Sequence, residues 1–360
     1  MLNLIVLFFL LPFMPVWIYG SVTEEMEKSK AMEVACHDRV WSVCGDKIVA
    51  QNNSEERFSN HPARKNNVFS LNDYVLFPVD KALASGVAPV RKNTANDMTL
   101  WAGTSVAIDV ESGTILHYDN GRKRTQIASL TKIMTALLVV ENIKDLNEEV
   151  VITREAVNLP GTVVGCPRSG FCAANRMYVG EKVKVIDLMK AALMNSANDA
   201  ATVLGIYTAG GDEKKFVSLM NKKAESLGLK DTHFCTPSGL EIDGQEDTCY
   251  SSAYDIARIA AYSMRYDIIW KIMRTSEDKF YSTDGKYMHE LKNTDLLLGT
   301  LGNSLGGKTG FTPMAGKSLL MGATDTSQSH KIIAVLLNDE DRWGDMKMLI
   351  DWAFRSYEWE

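Results

Sequence analysis

The chain has 360 residues, room for one large domain or two ordinary ones. Hydrophobic residues make up 46% and charged residues 23%, a globular balance, and the formal net charge of −6 excludes the basic footprint of a nucleic-acid-binding protein. The six histidines show no ligand spacing such as H-E-x-x-H, so neither a metal nor any other cofactor is expected.

The chain opens on an apolar run, LNLIVLFFLLPFMPVWIYG, with no charge from residue 4 to residue 19. That length suits a signal-peptide core better than a full span, and Pro12 and Pro15 would disturb a spanning helix. No Lys or Arg precedes the run, so a retained anchor stays open beside cleavage after Gly20. Residues 1–20 are therefore read as a signal peptide or N-terminal anchor, and export is expected in either case. Residues 21–100 form an extension or linker without an assigned fold, because QNNSEERFSNHPARKNNVFSLND is polar and turn-rich. The cysteines fall in three close pairs, Cys36 with Cys44, Cys166 with Cys172 and Cys235 with Cys249. Pairing neighbours is the simplest of 15 connectivities, and an oxidising compartment would preserve such bonds. Cys36, His37 and Cys44 lack an evident fourth partner for a metal site.

Order is expected from about residue 101 to the end. TSVAID (104–109) and TILHYD (114–119) read as a hairpin. From Ser129, SLTKIMTALLVVENI places Leu130, Ile133, Met134, Leu137 and Leu138 at helical spacing. The centre, 185–275, is mostly helical. Strand patterns return in SLLMGATD (318–325) and KIIAVLLND (331–339), and RWGDMKMLIDWAFRSY (342–357) closes the chain as an amphipathic helix. Strands at both ends with helices between them imply one sheet assembled from distant segments.

Three short motifs then occur in order: S-L-T-K at 129–132, S-A-N at 196–198 and K-T-G at 308–310. Each alone is weak. Ser129 could be a helix N-cap, Ser196 or Asn198 another, and Gly-Gly before Lys308 a plain turn. Together they form the signature of serine acyl-transfer sites. A hydroxyl is a poor nucleophile until a base takes its proton, and Lys132 at i+3 stands on the same helix face as Ser129. Burial and a second cation, Lys308, would keep Lys132 neutral enough to serve. Ser196 can relay a proton and Asn198 can hold an amide carbonyl. Glycines at 306, 307 and 310 suit an edge strand that receives an extended peptide, with Lys308 and Thr309 offering donors to a carboxylate.

With AIDVESGTILHYDN, NSANDAA, TPSGL, GGKTGFTPMAG and LLNDEDRWGDMKMLIDWAF in order as well, residues 103–357 resemble the serine D-alanyl-D-alanine carboxypeptidases, the low-molecular-weight penicillin-binding proteins related to the type-5 enzyme. The resemblance implies an α+β fold of the serine β-lactamase/DD-peptidase kind, an antiparallel sheet packed with helices plus a mostly helical lobe. It implies removal of the terminal D-Ala from peptidoglycan stem peptides through an acyl-enzyme on Ser129, and covalent inhibition by β-lactams. It assigns the oxyanion hole to the backbone N–H groups of Ser129 and Phe311, and it sets Gly310 on the substrate strand and Arg342 near the substrate carboxylate. A β-lactamase or transpeptidase on the same fold and a non-catalytic penicillin-binding sensor are the alternatives. The loop GTVVGCPRSGFCAANRMY is longer than the family pattern, and residues 21–100 match no part of it.

Overall fold

The computed structural model describes residues 88–166, 176–245 and 247–359. All lie in the second of the two units into which the chain divides, Ser70–Glu360. The apolar N-terminus, Cys36, His37, Cys44 and Cys172 fall outside the described residues.

In chain order the elements are β1 (Val90–Arg91), β2 (Thr104–Asp109), β3 (Ile115–Asp119), a 3₁₀ turn (Ala128–Thr131), α1 (Lys132–Asn142), β4 (Glu149–Val151), α2 (Arg154–Val157), β5 (Lys182–Lys184), α3 (Val185–Leu193) and α4 (Asn198–Thr208). They continue with α5 (Glu213–Ser226), α6 (Ala253–Ser263), α7 (Asp267–Met273), β6 (Glu277–Tyr281), β7 (Met288–Lys292), β8 (Ser304–Thr312), β9 (Gly316–Thr324), β10 (Lys331–Leu337), α8 (Arg342–Ser356) and β11 (Tyr357–Glu358). Five strands make one antiparallel sheet in the order β3-β2-β10-β9-β8. The class is the expected α+β, and the sheet is assembled from segments distant in sequence, 104–119 and 304–337.

Both faces of the sheet are buried, which is why its strands read as apolar runs. Val106, Ile108, Leu320, Ile333 and Val335 face a core shared with the central helices. Ala107, Leu319, Met321, Ala334 and Leu336 face a second core under α8, which supplies Met346, Leu349, Ile350 and Ala353 at helical spacing. Side-chain caps fix helix starts: Ser252 accepts from the N–H of Asp255 at 3.1 Å, and Asp341 from that of Gly344 at 3.3 Å.

Three differences from the sequence reading have local causes. The helix expected from Ser129 begins as a 3₁₀ turn, whose first residue, Ala128, has φ +47°. The helix expected through Tyr357 ends at Ser356, because Tyr357 turns into β11 and pairs with Arg91. The hairpin β6–β7 carried no clear signal, because its strands are short and charged and only Phe280, His289 and Leu291 point inward as buried residues.

Candidate active site

The 3₁₀ turn sets Ser129 half-exposed and Lys132 fully buried at the head of α1. Three oxygens surround the Lys132 amine: Ser129 Oγ at 2.8 Å, Asn198 Oδ1 at 2.8 Å and the Ser238 carbonyl at 2.7 Å. Burial, with the nearby Lys308 charge second, holds the amine well below the usual lysine range, while Asp199 pulls the other way. In a neutral amine the two N–H bonds go to the two carbonyl oxygens, which can only accept. Its lone pair then faces the Ser129 hydroxyl, the arrangement a general base requires.

Asn198 is aimed by its own contacts. Its side-chain N–H donates to the Pro160 carbonyl at 2.9 Å, and its backbone N–H donates to that of Thr162 at 2.8 Å. Ser196 takes φ +62°, left-handed backbone that non-glycine residues adopt sparingly. Two motif-associated residues, Ala128 and Ser196, therefore hold backbone positions that usually survive only where the surroundings impose them.

Lys308 comes from β8, the edge strand of the sheet, and is fully buried. Its amine donates to Ser196 Oγ at 2.8 Å and to the Thr309 carbonyl at 2.9 Å. Burial and then the Arg342 charge lower its pKa to about 7, against the opposing pull of Asp295. Thr309 Oγ1 lies 2.6 Å from Thr294 Oγ1. Gly310 lets β8 pass the 3₁₀ turn that carries Ser129: a Cβ there would stand 2.9 Å from the Ile127 carbonyl. Phe311 follows, half-exposed on the same strand. Arg342 is buried behind β8, where its Nη1 donates to the Gly310 carbonyl at 3.0 Å and the Ser318 carbonyl at 3.2 Å. The structure thus brings the five residues together as two hydrogen-bonded sets, Ser129–Lys132–Asn198 and Ser196–Lys308, with Thr309, Gly310 and Phe311 along the strand wall and Arg342 behind it.

Sequence reasoning missed three contributors. The Ser238 carbonyl acts through the backbone, so its side chain carries no signal, although TPSGL stands out as a family segment. Asp199, pushed up to about 6 chiefly by burial, accepts from the N–H groups of Val164 and Ala200 and pins the preceding loop to α4. Asp295, also pushed up to about 6 by burial, lies beside β8. A group able to hold a metal ion is absent among the described residues.

The profile of the D-alanyl-D-alanine carboxypeptidase family matches residues 91–341. The D-alanyl-D-alanine carboxypeptidase DacF of Bacillus subtilis is 32% identical over 265 residues, 71% of this chain and 63% of the relative. DacA of Escherichia coli is 32% identical over 268 residues, 71% of this chain and 62% of the relative. The chain therefore spans somewhat less than two thirds of the length of these relatives. Among solved structures, the Streptomyces K15 DD-transpeptidase superposes with a TM-score of 0.64 at 25% identity, covering 72% of this chain and 100% of that one. Penicillin-binding protein D2 of Listeria monocytogenes, in its ampicillin-bound form, gives a TM-score of 0.61 at 28% identity over 72% of this chain and 99% of that one. By the span of the family match and the identity of its relatives, the chain belongs to the D-alanyl-D-alanine carboxypeptidase family.

Proposed function

We propose that the protein is a serine D-alanyl-D-alanine carboxypeptidase that trims the terminal D-Ala from peptidoglycan stem peptides, and that β-lactams acylate the same serine. The observation that carries this reading is the buried Lys132 amine, 2.8 Å from Ser129 Oγ and held by two carbonyl oxygens. Lys132 takes the Ser129 proton as Oγ attacks the carbonyl carbon of the penultimate D-Ala. The backbone N–H groups of Ser129 and Phe311 stabilise the oxyanion. Ser196, in contact with Lys308, passes a proton to the leaving D-Ala nitrogen, and water then hydrolyses the ester. Thr309 and the charges of Lys308 and Arg342 hold the substrate's free carboxylate. A transpeptidase outcome, in which an amine replaces that water, is a second reading, supported by the likeness to the K15 enzyme. We place the enzyme outside the cytoplasmic membrane, where a Cys235–Cys249 disulfide would persist.

Intact-protein mass after penicillin tests the core of the proposal. Wild type gains one adduct, Ser129→Ala gains none, and Lys132→Ala reacts roughly 10²–10⁴-fold more slowly. An adduct on Ser129→Ala would remove Ser129 from its role. Free and carboxyl-amidated D-Ala-D-Ala peptides test the carboxylate contacts, because equal turnover of both would leave Thr309, Lys308 and Arg342 without that job.

A further inference from the structure

Of the exposed large hydrophobic side chains among the described residues, most gather in one place: Val151, Tyr178, Val179, Tyr281 and Tyr287. They sit on or beside the two small hairpins β4–β5 and β6–β7, which are joined where the N–H of Thr283 donates to the Lys182 carbonyl at 2.8 Å. Between the hairpins opens a cavity of about 400 Å³ lined by Tyr178, Val179, Lys182, Thr283, Lys286 and Tyr287. That volume falls within the roughly 300–1,000 Å³ of small-molecule sites.

The charges around the cavity answer one another. Lys182 pairs with Glu149 at 3.4 Å and Lys286 with Asp284 at 2.9 Å, while buried Glu181 meets buried His289 at 2.7 Å. Among the described side chains that line the cavity, Lys182 and Lys286 stand against Glu181 and Asp284, so neither sign is in formal excess to attract a phosphate, an acidic lipid or a cation. Beside those four charged groups the cavity presents two tyrosines and the Thr283 hydroxyl. Tyr178 and Tyr287 are 46% and 41% exposed, and their ring centroids lie 4.7 Å apart with a 37° tilt. Amphipathic rings of this kind suit a neutral ligand with an apolar C–H face and a polar rim. A sugar ring is such a ligand.

The position fits a polymeric substrate. Strand β7 leads from the cavity to Lys292, whose N–H donates at 2.6 Å to Oδ1 of Asn195, the neighbour of Ser196. Five residues of strand separate Tyr287 from Lys292, roughly 17 Å at about 3.3 Å per residue. A stem peptide with its fourth residue at Ser129 spans only roughly 14 Å when extended, less than that strand, so a sugar in the cavity would lie further along the strand than the one that carries the scissile peptide.

We propose that this cavity binds the neutral, N-acetylated amino-sugar strand from which the scissile peptide hangs, a site that rests on the carboxypeptidase reading for its biological sense. The test uses the full chain and a peptide-free hexamer of N-acetylglucosamine, titrated calorimetrically into wild type, Tyr287→Ala and Tyr287→Phe. The hexamer should bind wild type and the Phe variant alike, and about tenfold more weakly to Tyr287→Ala. Turnover of a free D-Ala-D-Ala peptide should stay within about twofold in all three, while release of D-Ala from intact peptidoglycan falls in Tyr287→Ala. Absence of hexamer binding to wild type, or equal binding to all three proteins, would overturn the site. Binding of wild type to phosphatidylcholine vesicles that is lost in Tyr287→Ala would overturn it in favour of a membrane contact. Tyr287-dependent hexamer binding by a protein that leaves the free peptide uncleaved would keep the sugar site and remove the carboxypeptidase reading instead.

Discussion

Lys308 and Lys132 are two buried amines in one cleft; burial chiefly weakens each one's hold on its proton, and nearby carboxylates oppose it. Asp295 is the least expected of these. Its Oδ1 accepts from the N–H of Leu297 at 2.9 Å, while its buried Oδ2 makes no hydrogen bond. Burial lifts this carboxyl to about 6, so it is anionic at neutral pH and raises the pKa of Lys308, which stands at about 7. Asp295→Asn removes that anion and keeps the shape, so Lys308 should release its proton at lower pH. If the Lys308 cation is needed, the alkaline limb of the penicillin acylation rate moves to lower pH. Above pH 7 the rate then falls several-fold, whereas below pH 6, where Asp295 is already protonated, it is unchanged. Acylation rates across a pH series decide this, and a profile identical to wild type would detach Asp295 from Lys308. The motif residues themselves were legible in the sequence because acyl transfer needs a hydroxyl and an amine one helical turn apart, a spacing the chain displays at Ser129 and Lys132. Asp295 and the Ser238 carbonyl were not, since a lone acid far from K-T-G and a backbone oxygen have no spacing of their own.

Among the elements, the loop from Cys235 to Cys249 does more than its composition suggests. Thr135 Oγ1 donates to its Pro237 carbonyl at 2.6 Å, Lys132 donates to its Ser238 carbonyl at 2.7 Å, and Thr312 of β8 donates to its Glu241 carboxylate. Gly239, at φ +77°, lies so close that a Cβ there would come within 2.0 Å of the Ala128 carbonyl. The loop thus touches both α1 and β8, the two walls that carry Lys132 and Lys308. The Cys235–Cys249 disulfide closes it with a Cα–Cα distance of 5.6 Å, as neighbour pairing suggested. Cys166 is disulfide-bonded too, and its expected partner Cys172 lies outside the described residues. Chain entropy gives a cross-link over about 15 residues roughly 3 kcal/mol of stability. Replacing both Cys235 and Cys249 with Ser should therefore lower the unfolding free energy by about that amount, read from urea denaturation. It should also slow acylation, because the carbonyl that orients Lys132 loses its anchor. Unchanged stability together with unchanged acylation would reduce the loop to a passive connection. The sequence showed the two cysteines but not these contacts, which depend on which strand and helix the folded loop meets.

At the scale of the whole molecule the sheet joins segments from both ends of the described unit, and the boundary of that folded unit follows from its packing. The sequence reading starts this unit at residue 101 and leaves residues 90–100, VRKNTANDMTL, in the extension without an assigned fold. In the structure those residues already pack. Val90 and Arg91 pair with Glu358 and Tyr357, the N–H of Lys92 donates to the Ser356 carbonyl at 2.9 Å, and Trp352 Nε1 donates to the Asn96 carbonyl at 2.7 Å. Leu100 is buried in the core under α8 with Trp343 and Leu349. The pattern is invisible to a periodicity search because each residue meets a different partner, and those partners lie more than two hundred residues away. The family match, which begins at residue 91, agrees with the packing. A fragment covering 88–360 should therefore be more stable than one covering 101–360. Burying one leucine contributes about 1.5–3 kcal/mol, and each net hydrogen bond about 1 kcal/mol. A difference of roughly 3–5 kcal/mol in urea unfolding is expected, since those two contributions add over the lost contacts. The partners of this segment lie on α8 and β11, not on the three motifs, so whatever part of the shorter fragment stays folded should still acquire a penicillin adduct on Ser129. Equal urea midpoints for the two fragments would show that the segment contributes nothing to the fold and that residue 101 is the true start of the catalytic unit.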